Sequence, residues 1–244
     1  MTALFLSACA AACGGAQEEK APPPAVVTNP VDPATAGSVT GTIRFDGTPP
    51  APQPINRSSD PYCEKQGAAT TETVTVGAGG SLQNVFVYVK DGLGDRAFPV
   101  PTTSVVLDQK SCRYEPHVLG IQVGQALEIL SSDNTLHNVH AMPQQNREFN
   151  KAHQMAGIKH THAFSTKEVM VPFKCDVHKW MNAYVGVLDH PFYAVTGANG
   201  TFELKGLPPG TYTIEAWHET LGTQTQTVTI GEKQTSDVTF TFKA

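Results

Sequence analysis

The strongest constraint on the fold is a period-two alternation of apolar and polar residues in the C-terminal quarter of the chain. It occurs in four runs separated by turns rich in Gly, Pro or Asn: residues 200–204 (GTFEL), 211–217 (TYTIEAW), 224–230 (QTQTVTI) and 236–242 (SDVTFTF). Because successive side chains point to opposite faces of a strand, this pattern predicts strands with one buried face. Four such strands in succession predict a small antiparallel β-sandwich.

Composition extends this expectation to the rest of the chain. The protein has 244 residues, enough for one large or two small domains with their own apolar cores. Hydrophobic residues make up 40% and charged residues 16%, and Thr, Val, Gly and Pro are plentiful, which favours strands and turns over helices. The formal net charge is -5 and no basic run is present, so the sequence has no electrostatic footprint for nucleic-acid binding.

Two further strands are predicted nearer the N-terminus. Residues 37–45 alternate small or polar with apolar residues, and residues 83–89 form a β-branched and aromatic run. The connection from residue 49 to 80 is rich in Pro and Thr and predicts no regular structure.

These flanking segments resemble one known family. The pieces GSVTGTIRFDG (residues 37–47) and NGTFELKGLPPGTYTIEAW (residues 199–217) are similar to the carboxypeptidase regulatory-like, or prealbumin-like, β-sandwich. In that family only a short strand and loop separate the two pieces, whereas here the gap is far longer. The resemblance therefore implies one sandwich built from residues 36–95 and 191–244, with residues 96–190 inserted as a second domain. Such modules are usually non-catalytic, so this resemblance says little about chemistry.

The candidate chemistry lies in the middle of the chain. The loop motif Cys175-x-x-His178-x-x-Met181 follows a strand-like run, and His137 lies in the separate stretch SSDNTLHNVHAMP (residues 131–143). Copper that cycles between Cu(I) and Cu(II) prefers a soft thiolate, imidazoles and a weak thioether. Zinc more commonly takes several Cys and His ligands in a closed tetrahedron. The pattern predicts a single copper ion held by these four residues.

The segment from about residue 104 to 190 resembles the cupredoxins, the type 1 or blue copper proteins. CDVHKWM (residues 175–181) is similar to the ligand loop of amicyanin, and SSDNTLHNV is similar to the stretch that carries the first His ligand and the Asn after it. The resemblance implies a Greek-key sandwich with His137, Cys175, His178 and Met181 as ligands. It also implies that Asn138 tethers the ligand loop through hydrogen bonds.

The same resemblance implies a route for electrons. In cupredoxins the loop His reaches the surface through an apolar patch, so a redox partner protein, not identified by the sequence, is expected to dock near His178. Asp176 and Lys179 make the surroundings of His178 more charged than is usual in such loops.

Other histidines leave alternatives open. His140 is a possible extra ligand if its strand bulges. Residues 144–164 contain His153, Met155, His160 and His162, which could form a second, mobile copper-capturing site. A polar surface loop is the favoured interpretation of this stretch. His190 and His218 are interpreted as structural.

The N-terminal segment predicts export. Residues 1–13 (MTALFLSACAAAC) look like the end of a lipoprotein signal and are too short to span a membrane. The lipidated residue is predicted to be Cys13, with Cys9 as the alternative, and residues 14–35 form a Pro/Ala-rich linker. With Cys13 as anchor, Cys63 and Cys112 are left to form a disulfide. The expected location is the cell envelope, facing the periplasm or the cell surface, with membrane contact through the lipid alone.

The function expected from these features is single-electron transfer. The sequence contains no nucleophile elbow, phosphate-binding loop or carboxylate pair, and an axial Met181 would fill the position that a substrate-activating copper leaves open, so no enzyme activity is expected. Two alternatives are copper trafficking or storage at the cell envelope, and a metal-free adhesion or scaffold module.

Overall fold

The computed structural model describes residues 31–243. In chain order its helix and strands are β1 (Gly37–Asp46), α1 (Pro61–Lys65), β2 (Phe86–Asp91), β3 (Val105–Lys110), β4 (Arg113–Glu115), β5 (Val118–Gln122), β6 (Leu127–Ser131), β7 (His137–Ala141), β8 (Phe149–His153), β9 (Lys159–His162), β10 (Glu168–Lys174), β11 (Asn182–Leu188), β12 (Tyr193–Val195), β13 (Thr201–Leu207), β14 (Gly210–His218), β15 (Gly222–Ile230) and β16 (Thr235–Lys243). Cys9, Cys13 and most of the predicted linker lie outside the described residues. Within residues 31–243, no helix is long and apolar enough to cross a membrane.

The first and last parts of the chain form one sandwich, here called the outer sandwich. Its two sheets have the strand orders β13-β1-β16 and β12-β2-β14-β15. Strand β1 runs antiparallel to β13 and parallel to β16, so the N-terminal strand is held between two C-terminal ones. The alternating residues predicted to face inward do so, and Ile43, Phe202, Tyr212 and Phe240 lie in an apolar core.

Strands β3 to β11 form a second sandwich, here called the inner sandwich. Its sheets have the orders β4-β3-β6-β9 and β5-β11-β10-β7-β8. Leu107, Ile129, Phe173 and Val185 fill the space between these sheets. The chain leaves the outer sandwich after β2 and returns to it at β12. The prediction of an all-β chain with one sandwich inserted in or packed on another is confirmed.

Part of the connection from residue 49 to 80 folds onto the inner sandwich. Helix α1 begins after Asp60, whose Oδ1 accepts hydrogen bonds from the amides of Tyr62 and Cys63 at 2.7 and 3.2 Å. Cys63 forms a disulfide with Cys112, as the sequence predicted, and both cysteines lie in the inner core. Residues 60–65, here called the cap segment, therefore pack on the inner sandwich, although the sequence placed them within the outer one (residues 36–95).

The two sandwiches meet through an apolar contact that requires glycine. Gly120 on β5 and Gly186 on β11 are paired, and the rings of Tyr193 and Phe86 lie directly against them. A Cβ atom on either glycine would overlap one of these rings. The missing side chains thus allow the outer strands β2 and β12 to approach the inner sheet closely.

Candidate metal centre

The ligand loop, residues 175–181, joins β10 to β11 at one end of the inner sandwich. Its ends are tied together because the Cys175 amide donates to the Met181 carbonyl at 3.1 Å. The Met181 amide donates in turn to the His178 carbonyl at 2.9 Å, which closes a turn inside the loop. Antiparallel pairing of β10 with β11 holds both flanks, so the loop has little freedom to open.

Three of the four predicted ligands converge in the interior. The Nδ1 atoms of His137 and His178 lie 2.9 Å apart, and the Cys175 Sγ is 4.0 Å from the His178 Nδ1. One donor atom from each residue lies within 4.8 Å of the others. Exposure of the three residues is 0–1%, so any ion held between them would be shielded from water. Met181 ends the same loop and is buried in the same core.

The environment of the sulfur favours a thiolate. Burial raises the pKa of Cys175, but hydrogen bonds with His137, His178 and two backbone amides outweigh it and lower the pKa from 9.0 to about 6. The two amides are those of Asn138 and His178, at 3.5 and 3.4 Å from Sγ. The sulfur is therefore largely ionised at neutral pH, the form in which it binds metals.

His137 is the counterpart of this thiolate. Burial lowers its pKa, but the hydrogen bond to Asp133 and the neighbouring Cys175 thiolate raise it from 6.5 to about 9. Without metal, a buried imidazolium therefore faces a buried thiolate, and each charge stabilises the other.

Both imidazoles are bonded to a carboxylate at the nitrogen that faces away from the sulfur. The His137 Nε2 lies 2.9 Å from Asp133 Oδ2, and the His178 Nε2 lies 3.0 Å from Asp60 Oδ2. Since the pKa of each of these two carboxyls is lowered, both carboxylates accept and each imidazole donates its Nε2–H. Neither acid was predicted from the sequence. Asp133 lies within the quoted motif, four residues before His137, but Asp60 has no sequence signal that relates it to the site.

This arrangement fits copper. With the Nε2 protons directed at carboxylates, Nδ1 is the nitrogen of each ring that faces the thiolate. In the metal-free centre the protonated His137 Nδ1 donates to the His178 Nδ1 at 2.9 Å, and a bound metal would displace that proton. Two neutral imidazole nitrogens and a thiolate sulfur are a donor set that copper prefers. The other two groups of three close His, Cys, Asp or Glu donors found within residues 31–243 each include a disulfide cysteine, so they lack a free thiolate.

The prediction that His178 reaches the surface is wrong. His178 is only 1% exposed, and the Cys63 Sγ lies 3.7 Å from its Nε2. Trp180 covers another side, with its ring centroid 4.9 Å from that of His178 and its Nε1–H donated to the Cys112 carbonyl. The physical reason is the cap segment, which places Asp60 and Cys63 where a docking partner was expected. The His178 ring therefore offers no exposed surface to a docking protein.

Asn138 ties the ligand loop to β7, as predicted. Its Oδ1 accepts the Asp176 amide at 2.6 Å, and its Nδ2 donates to the Asp176 carboxylate at 2.9 Å. The same carboxylate also accepts from the Asn150 side chain on β8 at 2.8 Å. The residue after Cys175 is thus fixed to two neighbouring strands.

His140 does not belong to the cluster. It lies on the opposite face of β7 from His137, and the register between β7 and β8 contains no bulge. Its two ring nitrogens bond to Asp176 at 2.9 Å and Glu148 at 2.6 Å. The prediction of His140 as an extra ligand therefore fails because the strand is regular.

The stretch from residue 144 to 164 is not a loop but contains strands β8 and β9. His153 is buried, with Nδ1 at 2.8 Å from the Gln109 Oε1 and with no partner at Nε2. The rings of His160 and His162 lie 5.8 and 4.3 Å from that of Phe149. None of the three groups of close His, Cys, Asp or Glu donors in residues 31–243 includes His153, His160 or His162.

Comparison with protein families gives one match. The family described as "Carboxypeptidase regulatory-like domain" matches residues 181–243, which run from Met181 at the end of the ligand loop through the C-terminal strands of the outer sandwich. No curated protein matches the chain.

Several solved copper proteins are similar to part of the chain. A "Cu-containing nitrite reductase (NirK) from Thermus scotoductus SA-01" matches with 17% identity and a TM-score of 0.34, over 41% of this chain and 26% of that one. An oxidised mutant of amicyanin matches with 20% identity and a TM-score of 0.32, over 34% and 81%. A "Novel Purple Cupredoxin from Nitrosopumilus maritimus" has 19% identity and a TM-score of 0.30, over 34% and 98%. The chain thus spans about a quarter of the nitrite reductase, and these scores are too low to carry a shared site.

Proposed function

We propose that the protein binds one copper ion through His137, Cys175, His178 and Met181 and acts in single-electron transfer. The observation that carries this proposal is the buried convergence of two imidazole nitrogens with a sulfur whose pKa favours the thiolate. Copper bound there would supply exchange of one electron between Cu(I) and Cu(II). Met181 is included because it ends the same buried loop, and thioethers are frequent weak copper ligands.

The chain's contribution is to hold the ligands still. Backbone hydrogen bonds close the loop at Cys175 and Met181, and Asn138 fixes its first turn to β7. Two amides donate to the Cys175 sulfur, which spreads its negative charge and leaves less for a metal to neutralise. Such a site undergoes little rearrangement when its charge changes, which suits electron transfer better than the release of metal.

The surroundings support an exported protein with a redox partner. A disulfide persists in oxidising compartments, so the Cys63–Cys112 bond agrees with a location at the cell envelope. Because the His178 ring is covered, we place the partner's contact at Val177 and Leu136 instead. These two side chains are 47% and 44% exposed, and each directly precedes one of the histidine ligands.

The experiment is a titration of the metal-free protein with Cu(II), followed by visible absorption and EPR. We expect an intense thiolate-to-copper band that saturates at about one copper per chain. Cys175→Ser should abolish the band. His140→Gln is the matched control, since His140 lies on the same strand as His137 but faces away from the centre, and it should leave the band unchanged.

A weak spectrum dominated by nitrogen ligands, with more than one copper bound, would contradict electron transfer and favour copper storage. A band that survives Cys175→Ser would refute the ligand assignment itself.

A further inference from the structure

We propose that Asp60 and Asp133 are positioning residues that set both histidine ligands for metal binding by holding a proton at Nε2 of each imidazole, so that Nδ1 is the nitrogen left to bind the metal. This inference rests on the proposed function, because it concerns the same centre. A neutral imidazole has one proton for two nitrogens, and the nitrogen that carries it cannot bind a metal. A carboxylate at each Nε2 keeps a proton there and directs Nδ1 at the position of the metal, where His137 would give up its second proton on binding.

The Asp60 carboxylate contacts three parts of the structure. Its Oδ1 accepts the amides of Tyr62 and Cys63 at the start of α1. Its Oδ2 accepts the Thr135 hydroxyl at 2.7 Å and lies 3.0 Å from the His178 Nε2. These four contacts fix the carboxylate from the helix, from the loop before β7 and from the ligand loop. The carboxylate therefore cannot swing away from His178 without breaking the start of the helix.

Asp133 is held in a comparable way by the turn between β3 and β4. Its two oxygens accept the amides of Ser111 and Cys112 at 2.8 and 2.7 Å. Both turn residues have positive φ, 52° and 56°, which is unfavourable for residues other than Gly or Asn. The two hydrogen bonds to Asp133 stabilise this turn, and the turn in return orients Asp133 toward His137.

The disulfide joins these two supports. Cys63 follows Asp60 by three residues and has its amide on the Asp60 carboxylate, while Cys112 has its amide on the Asp133 carboxylate. The bond between Cys63 and Cys112 thus links the anchor of one carboxylate to the anchor of the other. The cap segment is therefore part of the centre. It covers His178 and contributes Asp60, one of the two carboxylates.

The test is Asp60→Asn, examined first without metal. The Asn side chain can still accept the helix amides through Oδ1, since Asn is as good an N-cap as Asp. Its Nδ2–H₂ then faces the His178 Nε2, which has to accept, so the proton moves to Nδ1. We expect ¹⁵N-edited NMR of the metal-free protein to show His178 as the Nε2–H tautomer in the wild type and as Nδ1–H in the variant. Cu(II) affinity should fall by about 10- to 100-fold.

Thr135→Val is the matched control. It removes one of the four contacts of Asp60 but keeps the carboxylate and its two helix amides, so the tautomer should stay as in the wild type and the affinity should fall far less than in Asp60→Asn. If Asp60→Asn keeps the Nε2–H tautomer and the wild-type affinity, the positioning role is refuted. If the tautomer changes as expected but the wild type shows no thiolate-to-copper band, the positioning role stands and the proposed electron transfer fails. The tautomer is read without copper, so the two failures are distinguishable.

Discussion

The two buried histidines of the candidate metal centre, His137 and His178, and two of the outer sandwich, His190 and His218, have opposite surroundings. In the outer sandwich, His190 and His218 accept backbone amides at Nδ1, from Phe192 at 3.2 Å and Thr220 at 3.3 Å. Burial lowers the pKa of both to about 4, so both are neutral at physiological pH. In the metal centre, His137 is equally buried, yet its pKa is raised to about 9 by Asp133 and Cys175, which outweigh burial.

The contrast shows that the partner of a buried imidazole matters more than its burial. His190 is 3% exposed and His137 is 0% exposed, so exposure does not separate them. At His190 the nearest carboxylate oxygen, on Asp189, lies 3.9 Å from Nε2, beyond hydrogen-bond distance. At His137 and His178 the corresponding distances are 2.9 and 3.0 Å. Carboxylates at the outer nitrogens therefore separate His137 and His178 from His190 and His218.

The largest expected effect comes from removing the disulfide that holds the two carboxylate supports together. The bond closes a loop with a sequence separation of 49. Chain-entropy arguments give a loss of about 4 kcal/mol in the free energy of unfolding for Cys63→Ser with Cys112→Ser. Copper affinity should fall as well, because Asp60 loses its tether. Denaturant unfolding and copper titration measure the two effects.

The outer sandwich supplies the control for this prediction. In the double variant the NMR signals of His190 and His218 should keep their wild-type positions, because both residues lie in the outer sandwich. A double variant that binds copper as tightly as the wild type would show that copper affinity does not depend on the disulfide. It would contradict the role given to the cap segment.

The next effect is a pH dependence that belongs to the outer sandwich. The folded-state pKa of His190, about 4, is below the unfolded value of about 6.5. As the pH falls below about 6.5, the unfolded chain therefore binds a proton that the folded chain does not, and stability is lost progressively down to the folded pKa. Linkage gives a loss of about 2–3 kcal/mol from this group between pH 7.5 and 4.5.

His190→Gln isolates this contribution, because it removes the titrating ring and leaves the other groups in place. The free energy of unfolding of the variant should fall by about 2–3 kcal/mol less than that of the wild type over the same pH range. Equal losses in the two proteins would mean that His190 is already charged when folded, and its contrast with His137 would disappear.

Much of the fold and the core of the site could be predicted from the sequence. Period-two alternation located β13 to β16. The loop motif and the separate His137 identified three residues, His137, Cys175 and His178, whose donor atoms lie within 4.8 Å of one another. Asn138 bonds to the ligand loop, and the disulfide forms between the predicted cysteines. These features could be predicted because most of them are local patterns in the sequence, and because the disulfide was a pairing among few cysteines.

The carboxylates and the cover over His178 could not be predicted in this way. Asp60 contacts His178, which lies 118 positions later in the chain. Asp60 itself belongs to a Pro-rich connection that has no periodicity. The turn at Ser111 and Cys112 contains neither Gly nor Asn, so its positive φ angles had no signal in the residue types. The extent of strand β8 was also missed, because edge strands with polar residues on their exposed face resemble loops in sequence.

The smallest expected effect concerns the contact between the two sandwiches, where Gly186 meets Phe86. A methyl group at Gly186 would overlap the Phe86 ring, which is fully buried. Gly186→Ala should therefore lower the free energy of unfolding by about 1–3 kcal/mol, the usual cost of overpacking a core. The copper band should not change, because the ligand loop precedes β11 and is closed by its own backbone hydrogen bonds.

Phe86→Leu tests whether overlap with the Phe86 ring causes the loss of stability in Gly186→Ala. The smaller side chain leaves a gap in the wild type, but in the Gly186→Ala background it makes room for the new methyl group. The two changes together should therefore cost less than the sum of the single changes, a coupling that contacting residues typically show at about 0.5–3 kcal/mol. Strict additivity would mean that the sandwiches separate to accommodate the methyl group. If the copper band is also unchanged in the Gly186→Ala variant, the candidate metal centre does not depend on this contact with the outer sandwich.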